Sequence, residues 1–555
     1  MILVLIKQVP DVNEIKFDEK TRRIVRDNVK LLMNSFDKKA VEESIRLSER
    51  YNLDTAVATM GPPQAITVLE EAIRMGVNSG YLISDRKFGG ADTWVTSKVL
   101  SEFIKMLRPD IVLMGKYSLD GETSQVPPET AYMAGYNFIS SVSRIDIEND
   151  DVYVNRDEDY GISRYRIRMP LVISVSEKIN KARQAGNINV ENRIKVITAD
   201  DIKNISGSDS LTVVTNTFQS SIKRNNKFIG FDEFLSLINN FHGRHESIEK
   251  KMLKPPGDSI SLGLAVDDPE TSMEIASKMA SIGNSRIVFI GNIEPERLKG
   301  IPCHEYIYLK SDTYGFIDYA TDYIKKMNPL YVLIPSNLNG RDIAANIAAR
   351  LSLGLTADCI DIKFNGKKLV QYKPSFGGGI IAEIESRTEP AMATIRPGMF
   401  INNYYGNPEV KIIEYKKMNS FELLESRTIS ESYINLDRDI IFGIGRGLDK
   451  DMIPKVLEIA DKINAGVGAT RKVVDINLMP RQVQIGLTGR SISPGIYIAL
   501  GISGSDNHVV GLRYAGKIIA VNNSIDANIF KYSDYGILMD VNDFVRRLHE
   551  KVFKN

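Results

Sequence analysis

The sequence predicts an α/β protein of three parts: two related Rossmann-like domains and, after them, a third domain of parallel strands and helices. Three observations carry this. Short apolar runs rich in β-branched residues alternate with amphipathic helical stretches, the pattern of parallel sheets covered by helices. Residues 108–121 are echoed by 328–340: each has a proline, a short apolar run, a turn closing on Asp-Gly or Asn-Gly, and an Ala-rich helix. Strand–turn–helix units resemble one another generally, yet two copies so far apart fit two domains better than a solenoid, whose period is far shorter. A further strand–helix series then begins near Asp437.

Taken in order, residues 1–6 are the first buried strand. They are too short for a signal core and are followed by Lys7, Gln8, Val9, Pro10 and Asp11. Residues 55–59 and 111–114 continue that domain; 287–290 and 331–334 belong to the second, and 440–444 open the third. Between the first two, residues 201–257 turn polar and end in Lys254-Pro-Pro-Gly257, which reads as a linker. A second break follows Phe400. The expected division is therefore 1–200, a linker 201–257, 258–405, a hinge 406–436, and 437–555.

A chain of 555 residues exceeds what one core supports. Lys+Arg 71 against Asp+Glu 70 leaves a net charge of +1, which speaks against a nucleic-acid partner. The two cysteines, Cys303 and Cys359, stand in no CxxC or Cys/His cluster, which speaks against a disulfide framework, zinc or iron–sulfur site and fits a reducing cytoplasm. No apolar run reaches the ~18 residues of a membrane span, so no direct membrane insertion is expected.

The chemistry concentrates at the end. Residues 440–448 put glycines at 443, 445 and 447 around Arg446, a strand-to-helix turn through which backbone N–H groups can approach a phosphate. This spacing is not the Gly-x-Gly-x-x-Gly of nicotinamide sites. Four blocks follow: Gly468-Ala-Thr470-Arg471; Gln484-Ile-Gly486-Leu-Thr488-Gly489-Arg490; residues 493–508, with Ser503-Gly504 and Asn507-His508; and Asn522 with Ser533-Asp534-Tyr535-Gly536. This order resembles the FAD-binding domain of the electron-transfer flavoprotein alpha subunit over residues 437–550. The resemblance implies that Arg446, Thr470 and Arg471 border the flavin and its phosphates, with Gln484, Gly486 and Gly489 in the same site. It places Thr488 at flavin N5 and His508 near the C2 carbonyl. Ser503, Gly504 and Asn507 would hold the ribityl–diphosphate part, and Asn522 and Asp534 the adenosine end. A nearby imidazole or guanidinium would stabilise the negative charge that reduction places on the flavin. Leu487, Arg490 and Asn507 depart from the family's usual Gln, Lys and Gln.

Upstream, Gly340-Arg341-Asp342, residues 354–359, Pro374-Ser-Phe376-Gly377-Gly378 and Arg396-Pro397-Gly398 resemble the first domain of the alpha subunit, which mainly supports the assembly. Lys7-Gln-Val-Pro10, Asn34-Ser-Phe36-Asp37, Met60-Gly61-Pro62 and the run from Gly115 to Pro127 resemble the beta subunit. The resemblance implies a second nucleotide there, a second FAD or AMP, near Met60, Asp120, Thr123, Ser124, Gln125 and Val126. Val126, where a threonine commonly stands in AMP-binding members, favours FAD. The family's partner-recognition loop has no clean counterpart in residues 178–190.

The architecture thus expected is two related Rossmann-like (adenine-nucleotide alpha hydrolase-like) domains plus a C-terminal FAD-binding domain that swivels on the hinge. The expected function is that of an electron carrier: it accepts electrons from acyl-CoA or other flavin dehydrogenases and passes them to a quinone oxidoreductase. No catalytic residue or metal of its own is needed. Two alternatives stand beside it: an electron-bifurcating, NADH-oxidising enzyme with two FAD, and a non-redox adenine-nucleotide-binding module.

Overall fold

The computed structural model describes residues 1–11, 16–18, 23–25, 29–159, 161–202, 205–219, 224–241, 250–376, 379–415, 421–428, 436, 438–486 and 489–553. Three sheets dominate, one per domain, and their inner strands are largely apolar because helices cover both faces.

The first domain is built on a ten-stranded sheet. Its order is Ile194–Ile197, Ser79–Ile83, Thr55–Met60, Ile2–Ile6, Ile111–Gly115, Leu171–Val175, Asn137–Glu148, Asp151–Glu158, Gly161–Arg168, Phe421–Thr428. The first seven are parallel, and the last three add antiparallel. Ile2, Leu3 and Val4 are fully buried, as the opening apolar run requires. Helix Ser35–Tyr51 packs Ala40, Val41 and Ile45 on one face of the sheet, and helix Thr93–Leu107 packs Val95, Val99 and Phe103 on the other.

The middle domain has seven parallel strands, with Ser259–Ala265 at the centre between Ser285–Gly291 and Tyr331–Pro335. The repeated proline-strand units are thus equivalent: Ile111–Gly115 and Tyr331–Pro335 each lie beside the first strand of their own sheet. The C-terminal domain is a six-stranded parallel sheet ordered Lys227–Phe228, Tyr535–Leu538, Lys517–Asn522, Ile496–Leu500, Ile440–Ile444, Gly466–Ala469.

Two expected connectors are instead structural. Within 201–257, strand Thr212–Gln219 pairs antiparallel with Ile380–Ser386 of a small sheet on the middle domain. Strand Lys227–Phe228 then becomes an edge of the C-terminal sheet, and helix Phe231–Asn239 seals that domain's core. Phe234 is fully buried against Phe544, with ring centroids 5.0 Å apart. Arg224 pairs with Asp534. Within 406–436, strand Glu409–Glu414 extends the middle sheet and Phe421–Thr428 extends the first. These edge strands mix apolar residues with polar or charged ones, and that polarity made them resemble connectors. Leu436 belongs to the C-terminal core, while Asp437 lies outside the described residues.

No described helix is long and apolar enough to cross a membrane. The described residues hold no cluster of three metal-ligating side chains. Cys303 and Cys359 are buried and free, and burial pushes both thiols up.

Candidate functional site

In the C-terminal sheet the chain runs from Ile440–Ile444 outward to Gly466–Ala469 on one side, then returns to Ile496–Leu500 on the other. That reversal opens a crevice beyond the carboxyl ends of the strands, where open α/β sheets hold their ligands. Glycine lines it. Gly445 donates to Leu500 O at 2.8 Å and Gly447 to Gly501 O at 3.0 Å. A Cβ on Gly445 would stand 2.2 Å from Gly501 O, and Gly501 itself has φ +62. The two loops can therefore close on each other only without side chains, which leaves bare backbone for a phosphate to approach.

The expected residues divide between this crevice and elsewhere. Arg446 is exposed in the first loop. Thr470 begins the next, its N–H donating to Ile444 O at 3.0 Å, and Arg471 follows, paired with Asp475 at 3.3 Å on the surface. Ser503 and Gly504 sit beyond Leu500; the Ser503 carbonyl accepts from Ile529 N at 3.1 Å, and Gly504 has φ +84. Asn522 ends its strand, with Nδ2 donating to Ile502 O at 3.1 Å. Asn507 is exposed nearby.

Gln484, Gly486 and Gly489 form a tight turn: Arg490 N donates to Gln484 O at 2.8 Å, Gly486 N to Arg490 O at 3.1 Å, and Gly489 N to Gly486 O at 2.9 Å. A Cβ on Gly486 would meet Asn507 O at 2.4 Å, so the turn rests directly on residues 507–508. Thr488, at the tip, lies outside the described residues, as does Leu487.

His508 lies beneath this turn, 4% exposed. Its Nδ1 is 3.1 Å from Ile485 O, an obligate acceptor, so Nδ1 carries the proton; Nε2 accepts from the Tyr497 hydroxyl at 3.0 Å. Burial lowers its pKa to about 4, so the ring is neutral at physiological pH. Fixed positive charge at the crevice comes from the arginines instead.

Asp534 sits at the opposite end of the sheet. Its carboxylate accepts from Ile518 N at 2.7 Å and pairs with Arg224, both on the amino side of the strands. The acid at the carboxyl end is Asp540, just past Leu538, which is in register with Asn522. Asp540 is exposed and caps helix Val541–Phe553 through Asn542 N at 2.9 Å. Strand direction sets one acid at each end of the sheet.

The first domain has its own reversal, between Ile2–Ile6 and Ile111–Gly115. Asp37 bridges it, accepting from Lys7 N at 2.7 Å and Gly115 N at 3.1 Å. Burial raises this carboxyl to about 7 against those two donors. Lys7 pairs with Asp120 at 2.7 Å; burial opposes ionisation of Asp120, but the ammonium holds it below its ordinary value. Asn34 accepts from Leu119 N at 3.3 Å and donates to Tyr117 O at 2.9 Å. Met60 ends the neighbouring strand. Thr123, Ser124 and Gln125 lead into helix Val126–Ala134, with Glu122 and Ser124 both in the left-handed region at φ 52 and 58. Of this group, Gln125 is buried and turned towards the middle domain, while Ser124 faces a cavity.

In the middle domain the equivalent strand ends are cross-linked by their own side chains and line the cavity between the domains. Asp267 accepts from Asn292 Nδ2 at 2.6 Å and Asn339 Nδ2 at 2.7 Å, and Asn337 Nδ2 donates to Val266 O at 2.6 Å.

A cavity of about 1170 Å³ lies where the three domains meet. Lys116, Glu122 and Ser124 of the first domain line it together with Gln484, Gly489 and Arg490 of the C-terminal one. Asp358 on its wall is pinned by Arg341 at 3.0 Å and Arg396 at 2.5 Å. Burial alone would raise this carboxyl, but the two guanidiniums hold it well below the usual range. Arg396 also lies 4.9 Å from the Tyr514 ring centroid, and Ser493 Oγ donates to Pro397 O at 2.6 Å, joining the C-terminal domain to the middle one.

Comparison with known proteins identifies the family. The electron transfer flavoprotein domain matches residues 21–202 and 309–416, and the electron transfer flavoprotein FAD-binding domain matches 436–513. The chain is 37% identical over 227 residues to electron transfer flavoprotein subunit beta of Thermoanaerobacterium thermosaccharolyticum, covering 39% of this chain and 87% of that one. It is 35% identical over 253 residues to subunit alpha of the same organism, covering 44% and 76%. It is also 34% identical over 261 residues to the LctC subunit of the lactate dehydrogenase (NAD(+),ferredoxin) of Acetobacterium woodii, covering 44% and 62%. The chain belongs to the electron transfer flavoprotein family, with a beta-like part and an alpha-like part bearing the FAD-binding domain joined in one polypeptide.

Proposed function

We propose that this chain is a self-contained electron carrier that receives electrons from a flavin dehydrogenase, such as an acyl-CoA dehydrogenase, and passes them to a quinone oxidoreductase. The observation that carries this is the glycine-lined crevice between residues 445–447 and 501–504, flanked by Arg446 and Arg471. Bound there, FAD supplies the one- and two-electron chemistry. The protein's own part is positional. Backbone N–H groups and arginines hold the phosphates, the 484–490 turn fixes one edge of the ring site, and neutral His508 supports that turn from below. Asn522 and Asp540 are our candidates for the adenosine end.

A second reading, with a second FAD in the first domain and NADH as the reductant, draws support from one feature. Lys116, Glu122 and Ser124 of the first domain line one cavity with Gln484, Gly489 and Arg490, so the second site's loop and the 484–490 turn face the same space. A relative whose name pairs lactate dehydrogenase with NAD(+) and ferredoxin points the same way.

Counting acid-released FAD and AMP per purified chain tests both. One FAD with one AMP supports the plain carrier, and two FAD with NADH oxidation supports the second reading. A colourless chain that takes up no FAD refutes both and leaves a non-redox nucleotide-binding module.

A further inference from the structure

We infer that Gln125 is a positioning residue that ties the second nucleotide's loop to the middle domain, so that the first domain grips its nucleotide only while the middle domain is docked. The inference rests on the reading that residues 116–126 bind a nucleotide. Read from sequence, Gln125 is a ligand. Its side chain is instead 2% exposed and fully engaged in protein contacts. Nε2 donates to the Leu355 carbonyl of the middle domain at 3.1 Å, and Oε1 accepts from the Thr93 hydroxyl at 2.7 Å.

The surroundings extend the tie. Asp92, beside Thr93, accepts from Leu211 N at 2.8 Å and Thr212 N at 3.0 Å, where strand Thr212–Gln219 enters the middle domain's small sheet. At the loop's other end, the Asp120 carbonyl accepts from Phe376 N of the middle domain at 3.1 Å. Residues 120 and 125 are thus both held from across the interface. Between them stand Glu122 and Ser124, two non-glycine residues in left-handed conformation. Such backbone persists only where its surroundings enforce it. Releasing Gln125 lets the loop relax, and apparent affinity falls by the fraction of loops still in the binding shape.

The test uses the full chain with its C-terminal FAD in place, titrated calorimetrically with AMP and separately with FAD. Gln125→Leu keeps the bulk and removes both hydrogen bonds, taking the side-chain donor from the Leu355 carbonyl and leaving the Thr93 hydroxyl only Glu129, a buried carboxyl that burial raises well above its ordinary value and that is common to wild type and variants; the expected loss in second-site affinity is about tenfold to hundredfold. C-terminal FAD content stays unchanged. Gln125→Glu supplies the readout that a merely structural role would not move. Its protonated carboxyl can still donate to Leu355 O, whereas the ionised form repels it, so affinity should recover at low pH and fall as pH rises. Wild-type affinity in the leucine variant, or a glutamate variant that follows the leucine one at every pH, overturns the inference while leaving the two-site reading intact. A wild-type chain that binds neither AMP nor a second FAD overturns that reading and this inference together.

Discussion

Acidification should weaken the C-terminal domain through His508 alone. The buried ring has a pKa of about 4 in the fold, against 6.5 for the ordinary side chain. Between those values the unfolded chain binds a proton that the folded chain refuses, so unfolding takes up a proton and stability rises with pH. The contribution of this neutral burial is complete above about pH 6.5, declines as pH falls, and levels off below about pH 4. At 1.36 kcal/mol per pKa unit, the loss at about pH 5 is ~2 kcal/mol, with a limit of ~3 kcal/mol. His508→Gln can still donate to Ile485 O and accept from Tyr497, but it cannot titrate. Urea unfolding followed by flavin fluorescence, from about pH 8 to pH 5, should therefore show a wild-type midpoint that falls relative to the variant's. Parallel curves would refute the reasoning, because they would mean that the ring is already charged, or already solvated, in the folded domain.

Three further outcomes are expected. Phe234→Ala should destabilise the C-terminal domain by ~3–5 kcal/mol, lowering the temperature of flavin release although the residue precedes the whole middle domain. Gly445→Ala must displace Gly501 O, which would lie 2.2 Å from the new Cβ, so FAD retention after gel filtration should collapse while circular dichroism stays close to wild type. Asp534→Asn should lower thermal stability by ~1–3 kcal/mol, discounted for the partial exposure of Asp534, and leave FAD per folded chain unchanged; loss of FAD would return Asp534 to the nucleotide site.

Ile2–Ile6, Ile111–Gly115 and Tyr331–Pro335 were legible because burial on both faces demands apolar runs, and the crevice glycines because close backbone approach demands them, whereas the serines of Ser259–Ala265 hid the middle sheet's central strand. The rest depended on partners distant in sequence. Lys227–Phe228 is too short to register as a strand, and only its pairing with Tyr535–Leu538 makes it one. Asp534 and Asp540 are alike as residues, and only the direction of the strand between them sets one at each end of the sheet. Gln125 resembles a ligand in a loop of polar residues; the carbonyl that claims it lies 230 positions away. For His508 the sequence shows a histidine among glycines, whereas its neutrality follows from burial by parts of the chain that only the fold brings over it.

The placement of residues 224–241 in the C-terminal sheet has a consequence for biosynthesis. Arg224 must wait for Asp534, 310 residues later. At ribosomal rates of ~5–20 residues per second, that is about 15–60 s during which Phe228, Phe231 and Phe234 have no core to enter. The first and middle domains can complete their principal sheets in the meantime, since their last edge strands end at Thr428. The nascent chain therefore carries an aromatic-rich arm between two nearly finished domains, a segment for a chaperone to shield until the last helix leaves the ribosome and the flavin domain can close.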